Sequence, residues 1–544
     1  MSGAPAELRQ AAVDCEPEHG HDQERQQRGE DEAKAPDRSR LIELPVAVGR
    51  PGRPLLLSPG AIAVEILRQG AGRAFVARIV LLERRPDFPT RRARRVGRGD
   101  RLSALRMDNS LLVTPTKVLV PQLAGFGAQY NQNVYAAISR KEGVTDQNVG
   151  DMEQKLVELR PQFVRVFFNP SAFSDADLMK SFERTIQLAQ RTATSINVTW
   201  QGGGTDSPKE SMAQFASLLT DLATNQGASK LRWVTIQNEP NSTRITMELY
   251  ESLYRLLDTN LERKVRSQIR FMGGDLLGTT SPLGQTQQDW FHFMGQKMAD
   301  LLDAYSIHVY WDYSDTPKLV RRLTEVKAIR DALSTGAQKP LYVTEFGVRG
   351  IRERDGERFP EPGIYEDGTP FEQTNINAFQ HAWFALLAVK LGYYGVVKWD
   401  AYFGKYDRGT QDYTMIGGPR EGWPLRPVYR LMRLLTTTVG PGWTAVGVDG
   451  PAGTRLVAGF TTPYGELTLI GLDTDGASLN TVSSKRSSYS LTGLPPKTAF
   501  QLRYWNRDGK STNTSAGRLQ TDAAGVVTVT APLHSVFALT RLMD

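Results

Sequence analysis

The feature that most constrains the fold of this chain is a repeated alternation of two patterns between about residues 107 and 440. Each repeat has a short β-branched run, a polar turn and a segment with apolar residues at helical spacing, as expected for parallel strands joined by right-handed helical crossovers. The candidate strands are 123–128, 163–168, 196–200, 233–237, 270–273, 304–309, 341–344 and 396–399. The candidate helices between them are 149–159, 176–192, 209–225, 246–261, 286–302, 318–334 and 375–390. Eight strands with intervening helices predict an α/β fold, a (β/α)8 barrel over 107–440.

After residue 440 the pattern changes to short alternating runs separated by Gly, Pro, Asp and Ser turns. The runs are 457–461, 467–472, 499–505, 526–530 and 536–541. They predict an antiparallel β-sandwich domain over 441–544. The domain could bind carbohydrate or could pack on the barrel flank as a structural element, and we favour the structural role.

Residues 1–106 differ in composition from the rest of the chain. They contain no Trp, Tyr or Asn, and their arginines far outnumber their lysines. Such a segment lacks the aromatic material of a packed core, so we predict an extension of low order. One interpretation is an arginine-rich arm that touches nucleic acid or anionic surfaces. The other, which we favour, is that 1–106 is not a genuine part of the protein and that Met107 is the working start, so no nucleic-acid partner is expected.

Overall composition narrows the remaining classes. The formal net charge is +7 and hydrophobic residues make up 40% of the chain, as in a globular protein with a sizeable core. The single cysteine, Cys15, excludes an intramolecular disulfide and a thiolate metal cluster. Six histidines without paired spacing argue against a catalytic zinc, so no metal or cofactor is predicted. We see neither a run of roughly 18 apolar residues nor a secretory signal, which favours the cytoplasm and argues against a membrane partner.

Two glutamates stand at the ends of apolar, β-patterned runs. Glu239 lies in Ile-Gln-Asn-Glu-Pro-Asn at 236–241, after the fourth candidate strand, and Glu345 lies in Tyr-Val-Thr-Glu-Phe-Gly at 342–347, on the seventh. Chemistry in such barrels takes place at the carboxyl ends of the strands, so both side chains should meet at one rim. A pair of carboxylates at one rim is what hydrolysis of a glycosidic bond needs.

These two strings carry a resemblance to a known group of enzymes. Asn-Glu-Pro at 238–240 and Thr-Glu-Phe-Gly at 344–347 resemble the signature pair of the clan A retaining glycoside hydrolases. Asn241 and the sandwich after the barrel resemble features of family 39, and the string Glu-Phe-Gly at 345–347 resembles a motif of family 5. The resemblance implies that Glu239 is the general acid/base and Glu345 the nucleophile of a double displacement through a covalent glycosyl-enzyme. The expected partner is an oligosaccharide or polysaccharide; the alternative is a catalytically silent carbohydrate-binding barrel.

The same resemblance extends to residues around the pair. It implies that Asn238 bonds the 2-hydroxyl of the sugar and that Trp399 is the platform under the sugar ring. The string at 306–311 is similar to the clan's His-x-Tyr pattern, in which Tyr310 would donate to the nucleophile and His308 would position the acid or a sugar hydroxyl.

One further residue follows from the sequence itself. Arg165 interrupts the apolar second strand at 163–168 with a cation. It could hold the nucleophile ionised, because a nearby positive charge favours the charged form of a carboxyl. The alternative is a structural ion pair inside the barrel.

Overall fold

The larger unit of the chain, residues 96–544, contains a closed barrel of eight parallel strands. The computed structural model describes residues 63–68, 75–80, 110–202, 206–406, 412–450, 454–474, 486–505 and 512–542. The barrel strands, in chain order and in neighbouring order around the barrel, are β1 (Gly125–Tyr130), β2 (Phe163–Phe168), β3 (Ser195–Trp200), β4 (Leu231–Ile236), β5 (Arg270–Leu276), β6 (Ala304–Asp312), β7 (Leu341–Arg349) and β8 (Tyr393–Lys398). The barrel predicted from the alternating pattern is therefore confirmed.

Helices follow the strands around the outside of the barrel. The main ones are α1 (Val149–Leu159), α2 (Ala176–Thr192), α3 (Pro208–Thr224), α4 (Met247–Asn260), α5 (Gln287–Lys297), α6 (Thr316–Asp331), α7 (Asn375–Lys390) and α8 (Pro427–Thr438). Two short helices, Ala137–Arg140 and Arg263–Arg266, lie in the connections. Seven of the main helices match predicted helical segments; α8, which completes the last unit, has no counterpart in the sequence prediction.

The helix α2 illustrates how the sequence fixes these elements. Asp175 caps its start by accepting hydrogen bonds from the backbone N–H groups of residues 177 and 178. Phe182, Ile186 and Ala189 follow at spacings of three to four residues and are buried. This spacing places the apolar side chains on one face of the helix, which packs against the barrel.

The amino end of the barrel is filled by an apolar cluster. Phe163, Trp233, Met272, Ala304, Tyr342 and Val397 belong to this cluster and are buried. Tyr342 lies 5.8 Å from Phe163 and 5.4 Å from Trp233 between ring centroids. Because this end is filled, the polar side chains of the barrel interior are grouped toward the carboxyl ends of the strands.

A second domain is built on one nine-stranded sheet. Its strands, in neighbouring order, are Thr512–Gln520, Ala499–Trp505, Val536–Arg541, Leu467–Asp473, Arg455–Thr461, Thr444–Asp449, Ser110–Val120, Arg486–Thr492 and Val527–Pro532. Every pair is antiparallel except that between Ser110–Val120 and Arg486–Thr492, which is parallel. Ser110–Val120 thus belongs to this sheet, whereas the sequence assigned residues 107–120 to the barrel; an apolar run does not reveal which distant strand it pairs with.

The sheet closes over a core of its own. Tyr489 and Phe537 lie on strands five positions apart in the sheet, yet their rings meet at 4.8 Å in an edge-to-face contact. The two halves of the sheet therefore face each other in the manner of a sandwich. The domain also touches the barrel layer, since Lys390 Nζ at the end of α7 donates to the backbone oxygens of Val448 at 2.8 Å and Val457 at 3.1 Å.

The amino-terminal part of the chain forms a separate unit, residues 1–95. In it, Ala63–Arg68 pairs antiparallel with Phe75–Val80. Apart from these two strands, residues 1–106 lie outside the described part of the chain, so their low order stays a prediction. Within the described part of the chain, none of the helices has the length and apolar character needed to cross a bilayer.

Candidate active site

The structure brings the two predicted glutamates together at the carboxyl rim of the barrel. Glu345 lies on β7 and is 5% exposed, and Glu239 lies three residues beyond the end of β4. Three atoms, one carboxylate oxygen from each glutamate and one ring nitrogen of His308, lie within 4.8 Å of one another. The carboxyl pair that the sequence placed at one rim is therefore a close pair.

The backbone after β4 is shaped to present Glu239. Gln237 and Glu239 have left-handed conformations, with φ of 64° and 46°. Such angles are uncommon for residues other than glycine and are maintained only where the surroundings fix them. Asn241 supplies part of that support: its side-chain nitrogen donates to the carbonyl of Leu277 at 2.9 Å, and its oxygen accepts from the N–H of the same residue at 3.0 Å.

Both oxygens of Glu345 accept hydrogen bonds. Arg165 Nη1 donates to Oε2 at 2.9 Å, and the Tyr310 hydroxyl donates to Oε1 at 2.5 Å. Two donors of this kind fix the orientation of the carboxylate. The predicted positions of Arg165 and Tyr310 next to Glu345 agree with the structure.

Arg165 joins four strands of the barrel interior. Besides Glu345, its guanidinium donates to Asp275 Oδ2 at 2.5 Å, to Asn238 Oδ1 at 2.6 Å and to Thr199 Oγ1 at 3.0 Å. The side chain is completely buried. The structural ion pair is present with Asp275, and the guanidinium also contacts the carboxylate of Glu345. Its effect on the charge of Glu345 stays a prediction.

Asp275 is a site residue that the sequence analysis missed. The strand β5 bends at Gly274, where φ is +124° and a Cβ would lie 2.2 Å from the backbone oxygen of Ser306. The bend lets Asp275 Oδ1 accept from Ser306 Oγ at 2.7 Å and from the Thr344 hydroxyl. Burial alone would raise the pKa of Asp275, but Arg165 and His308 hold it well below its ordinary value. The only sequence signal was the Gly-Gly-Asp string at 273–275.

His308 connects these groups. Its Nδ1 lies 2.8 Å from Glu239 Oε1 and 3.7 Å from Glu345 Oε2, and its Nε2 lies 3.5 Å from Asp275 Oδ1. Burial alone would lower the pKa of His308, but the surrounding carboxylates, Glu345 and Asp275 foremost, raise it to about 9. The ring is therefore protonated at neutral pH and can donate to Glu239.

Trp399 follows β8 at the same rim, but its ring is mostly covered. It is 9% exposed, and the ring of Tyr406 stacks on it at 5.3 Å with an interplanar angle of 16°. Phe167 packs against it at 5.7 Å. The residue lies where the sequence predicted, although its indole presents little surface to a ligand.

The cluster also has the composition of a metal site. Glu239, His308 and Glu345 could each offer one ligand atom. Both oxygens of Glu345, however, already accept from Arg165 and Tyr310, and a guanidinium at 2.9 Å repels a second cation. The donor set therefore suits a reacting carboxylate pair better than a metal ion.

Taken together, the fold and the site define a (β/α)8 barrel with a close carboxyl pair at the carboxyl rim of its strands. No protein-family model and no curated protein matches the sequence. Solved structures share the fold. The chain is similar to the catalytic domain of GH30 xylanase C from Talaromyces cellulolyticus, with a TM-score of 0.57 and 10% identity. It is also similar to the glycoside hydrolase family 30 subfamily 8 xylanase Xyn30A from Clostridium acetobutylicum, with a TM-score of 0.56 and 12% identity. Each alignment covers 80% of this chain and 100% of the other.

A third solved structure extends the comparison. A glucosidase from Croceicoccus marinus aligns over 80% of this chain and 99% of its own, with a TM-score of 0.54 and 12% identity. At such low identities the likeness concerns the fold.

Proposed function

We propose that this protein is a retaining glycoside hydrolase. The observation that carries the proposal is the pair Glu239 and Glu345, with oxygens within 4.8 Å of each other at the carboxyl rim. Retaining enzymes hold their carboxyl groups about 5 to 5.5 Å apart, whereas inverting enzymes separate them by about 6.5 to 9.5 Å to admit a water molecule. The short separation supports direct attack on the sugar by one of the two carboxylates.

In the first step Glu345 is the nucleophile. Its ionised carboxylate attacks the anomeric carbon, a bond forms between that carbon and a carboxylate oxygen, and the glycosidic carbon–oxygen bond breaks. Glu239 transfers a proton to the departing oxygen. Arg165 and Tyr310 support this assignment because both donate to Glu345 and fix the orientation of its carboxylate.

In the second step a water molecule replaces the leaving group. Glu239, now ionised, takes a proton from the water, whose oxygen bonds to the anomeric carbon as the ester to Glu345 breaks. His308 Nδ1 forms a hydrogen bond with Glu239 Oε1. The other oxygen, Oε2, can then face the glycosidic oxygen or the water.

Asn238 is the proposed ligand of the sugar 2-hydroxyl. Its Oδ1 accepts from Arg165 at 2.6 Å, so its side-chain N–H groups are oriented away from the guanidinium and can donate to substrate. A bond to the 2-hydroxyl strengthens as positive charge develops on the sugar ring and so lowers the barrier.

A carbohydrate substrate is further supported by the names of the similar structures, which include xylanases, an arabinofuranosidase and a glucosidase. The similar xylanases belong to family 30 and a similar xyloglucanase from Paenibacillus polymyxa to family 44, so a closer relation to family 39 or family 5 rests on the sequence motifs alone. The silent carbohydrate-binding alternative is less favoured, because both carboxyls and their supporting donors are present.

The direct test is a screen of aryl xylosides, glucosides and arabinofuranosides together with xylan- and glucan-derived oligosaccharides, followed by product analysis. We expect hydrolysis of at least one class, and the products would identify the sugar and distinguish exo from endo cleavage. Saccharide binding without hydrolysis of any substrate would favour the silent barrel.

A further inference from the structure

The covered ring of Trp399 leaves open which aromatic side chain meets the sugar. Stacking on a sugar requires an exposed ring face, because the gain comes from removing that face and the C–H groups of the sugar from water. Trp399 is 9% exposed and lies against Tyr406 on one side and Phe167 on another. In this arrangement it is a packing residue.

Tyr406 is better placed to present such a face. Its side chain is only partly buried, and its ring lies parallel to the indole of Trp399 at 5.3 Å. The rings of Phe167 and Tyr406 meet in an edge-to-face arrangement, with their centroids 6.4 Å apart. Its hydroxyl donates to Asp400 Oδ1 at 3.2 Å. The ring is thus fixed by stacking, by an edge contact and by a hydrogen bond at its tip.

The backbone at Trp399, where this loop begins, is itself held in place. Lys398 Nζ, at the end of β8, donates to the backbone oxygen of Trp399 and to that of Tyr413 at 2.6 Å. Asp400 is 5% exposed. Binding on a ring that is already positioned costs less conformational entropy than binding on a mobile one.

Tyr406 also lies close to the reacting groups. Tyr310, the hydroxyl donor to Glu345, packs against the same aromatic cluster as Trp399 and Tyr406. The ring of Tyr310 lies 5.5 Å from that of Tyr413, which belongs to the cluster that Tyr406 also contacts. A sugar bonded at its anomeric carbon to Glu345 would lie within reach of the Tyr406 ring.

We propose that Tyr406, backed by Trp399, is the aromatic surface on which the neutral glycone ring of the substrate lies, and that Asp400 is a positioning residue for Tyr406. The inference rests on the proposed function for the location of the glycone. It replaces Trp399 as the expected platform and assigns a binding role to a residue outside the recognised motifs.

The test measures binding without turnover, in the Glu345→Gln protein, by calorimetric titration with xylotetraose and with cellotetraose separately. Tyr406→Leu keeps apolar bulk over Trp399 but removes the flat ring, and should weaken binding of the preferred saccharide about tenfold. Tyr406→Phe keeps the ring and should stay within about threefold of the parent. Tyr464→Leu, at a 92% exposed position in the sheet domain, is the matched control and should have no effect.

The role of Asp400 is tested by a double-mutant cycle. If Asp400 acts through the Tyr406 hydroxyl, Asp400→Ala should weaken binding in the parent protein but add little in the Tyr406→Phe background. Equal effects in the two backgrounds would overturn the positioning role. Thermal unfolding of each variant shows whether the fold is kept; should Tyr406→Leu unfold, Tyr406→Met removes the ring in the same way.

The outcomes separate this inference from the proposed function. The inference would be overturned if Tyr406→Leu bound both saccharides as tightly as the parent or more tightly. It would also be overturned if the parent bound neither saccharide. Hydrolysis by the wild-type protein together with unchanged binding in Tyr406→Leu would leave the function standing and reject the role of Tyr406. Ring-dependent binding without hydrolysis by the wild-type protein would support the role and reject the function.

Discussion

Arg165 Nη1 donates to Glu345 Oε2 at 2.9 Å from a completely buried position. The same guanidinium lies 2.5 Å from Asp275 Oδ2, so one cation serves two carboxylates in the barrel interior. This contact links the stability of the barrel to its chemistry, because loss of the cation would leave a buried carboxylate unpaired and would also free the proposed nucleophile.

Replacing Arg165 by methionine should therefore destabilise the protein strongly. Removing one partner of a buried ion pair typically costs about 3 to 5 kcal/mol, because the remaining charge stays buried without compensation. Arg255→Met is the control: that arginine is 44% exposed and pairs with Glu251 and Asp300, and its loss should cost no more than about 1 kcal/mol. Denaturant unfolding measures both free energies. Equal losses in the two variants would contradict the account.

Glu345→Gln should abolish turnover while preserving the fold. The amide keeps the shape of the side chain but removes the attacking oxygen, so kcat should fall by roughly a thousandfold or more. Glu357→Gln, in the exposed hairpin strand Glu357–Arg358, is the matched control and should keep the wild-type rate. Near-normal hydrolysis by Glu345→Gln, measured on the best substrate of the screen, would remove Glu345 from the nucleophile role.

Glu239→Ala should affect substrates according to their leaving groups. A poor leaving group needs a proton in the first step, whereas an activated aryl group departs without one. Hydrolysis of natural linkages should thus be lost, while an activated aryl glycoside still glycosylates Glu345. Azide, a nucleophile that needs no general base, should then restore turnover and give a glycosyl azide. Equal loss on both substrates with no azide rescue would indicate that another residue is the acid.

The charge on His308 should make stability depend on pH. Its pKa is about 9 in the folded protein, above the ordinary value of 6.5. The contribution of the charged His308 ring to the free energy of unfolding is fully present below pH 6.5 and is lost as the pH rises through 9. The difference in unfolding free energy between wild type and His308→Asn should therefore shrink between pH 6 and pH 9.5. A constant difference over that range would show that protonation of His308 does not contribute.

Much of the fold could be predicted from the sequence because local patterns specify it. The helices Val149–Leu159, Ala176–Thr192 and Asn375–Lys390 have the predicted bounds, since their apolar spacing and end signals agree. The strand Ser110–Val120 could not be assigned in this way. Its neighbours in the sheet, Thr444–Asp449 and Arg486–Thr492, lie more than 300 residues away, and alternation within a run does not identify a distant partner.

The site residues also differ in whether a local sequence pattern predicts them. Glu239 and Glu345 could be recognised because each stands in a characteristic string at a strand end. Asp275 depends on the bend at Gly274, which turns it toward an arginine on another strand, and no local pattern encodes that meeting. Tyr406 lies in an irregular loop after β8, where periodicity gives no signal.

The stereochemistry of the first-formed product tests the central claim most directly. Proton NMR during the first minutes of hydrolysis distinguishes the two anomers before they equilibrate in water. A double displacement by Glu345 and then by water inverts the anomeric centre twice, so the account predicts a product with the anomeric configuration of the substrate. A first-formed product of inverted configuration would contradict the covalent mechanism and the roles assigned to Glu239 and Glu345.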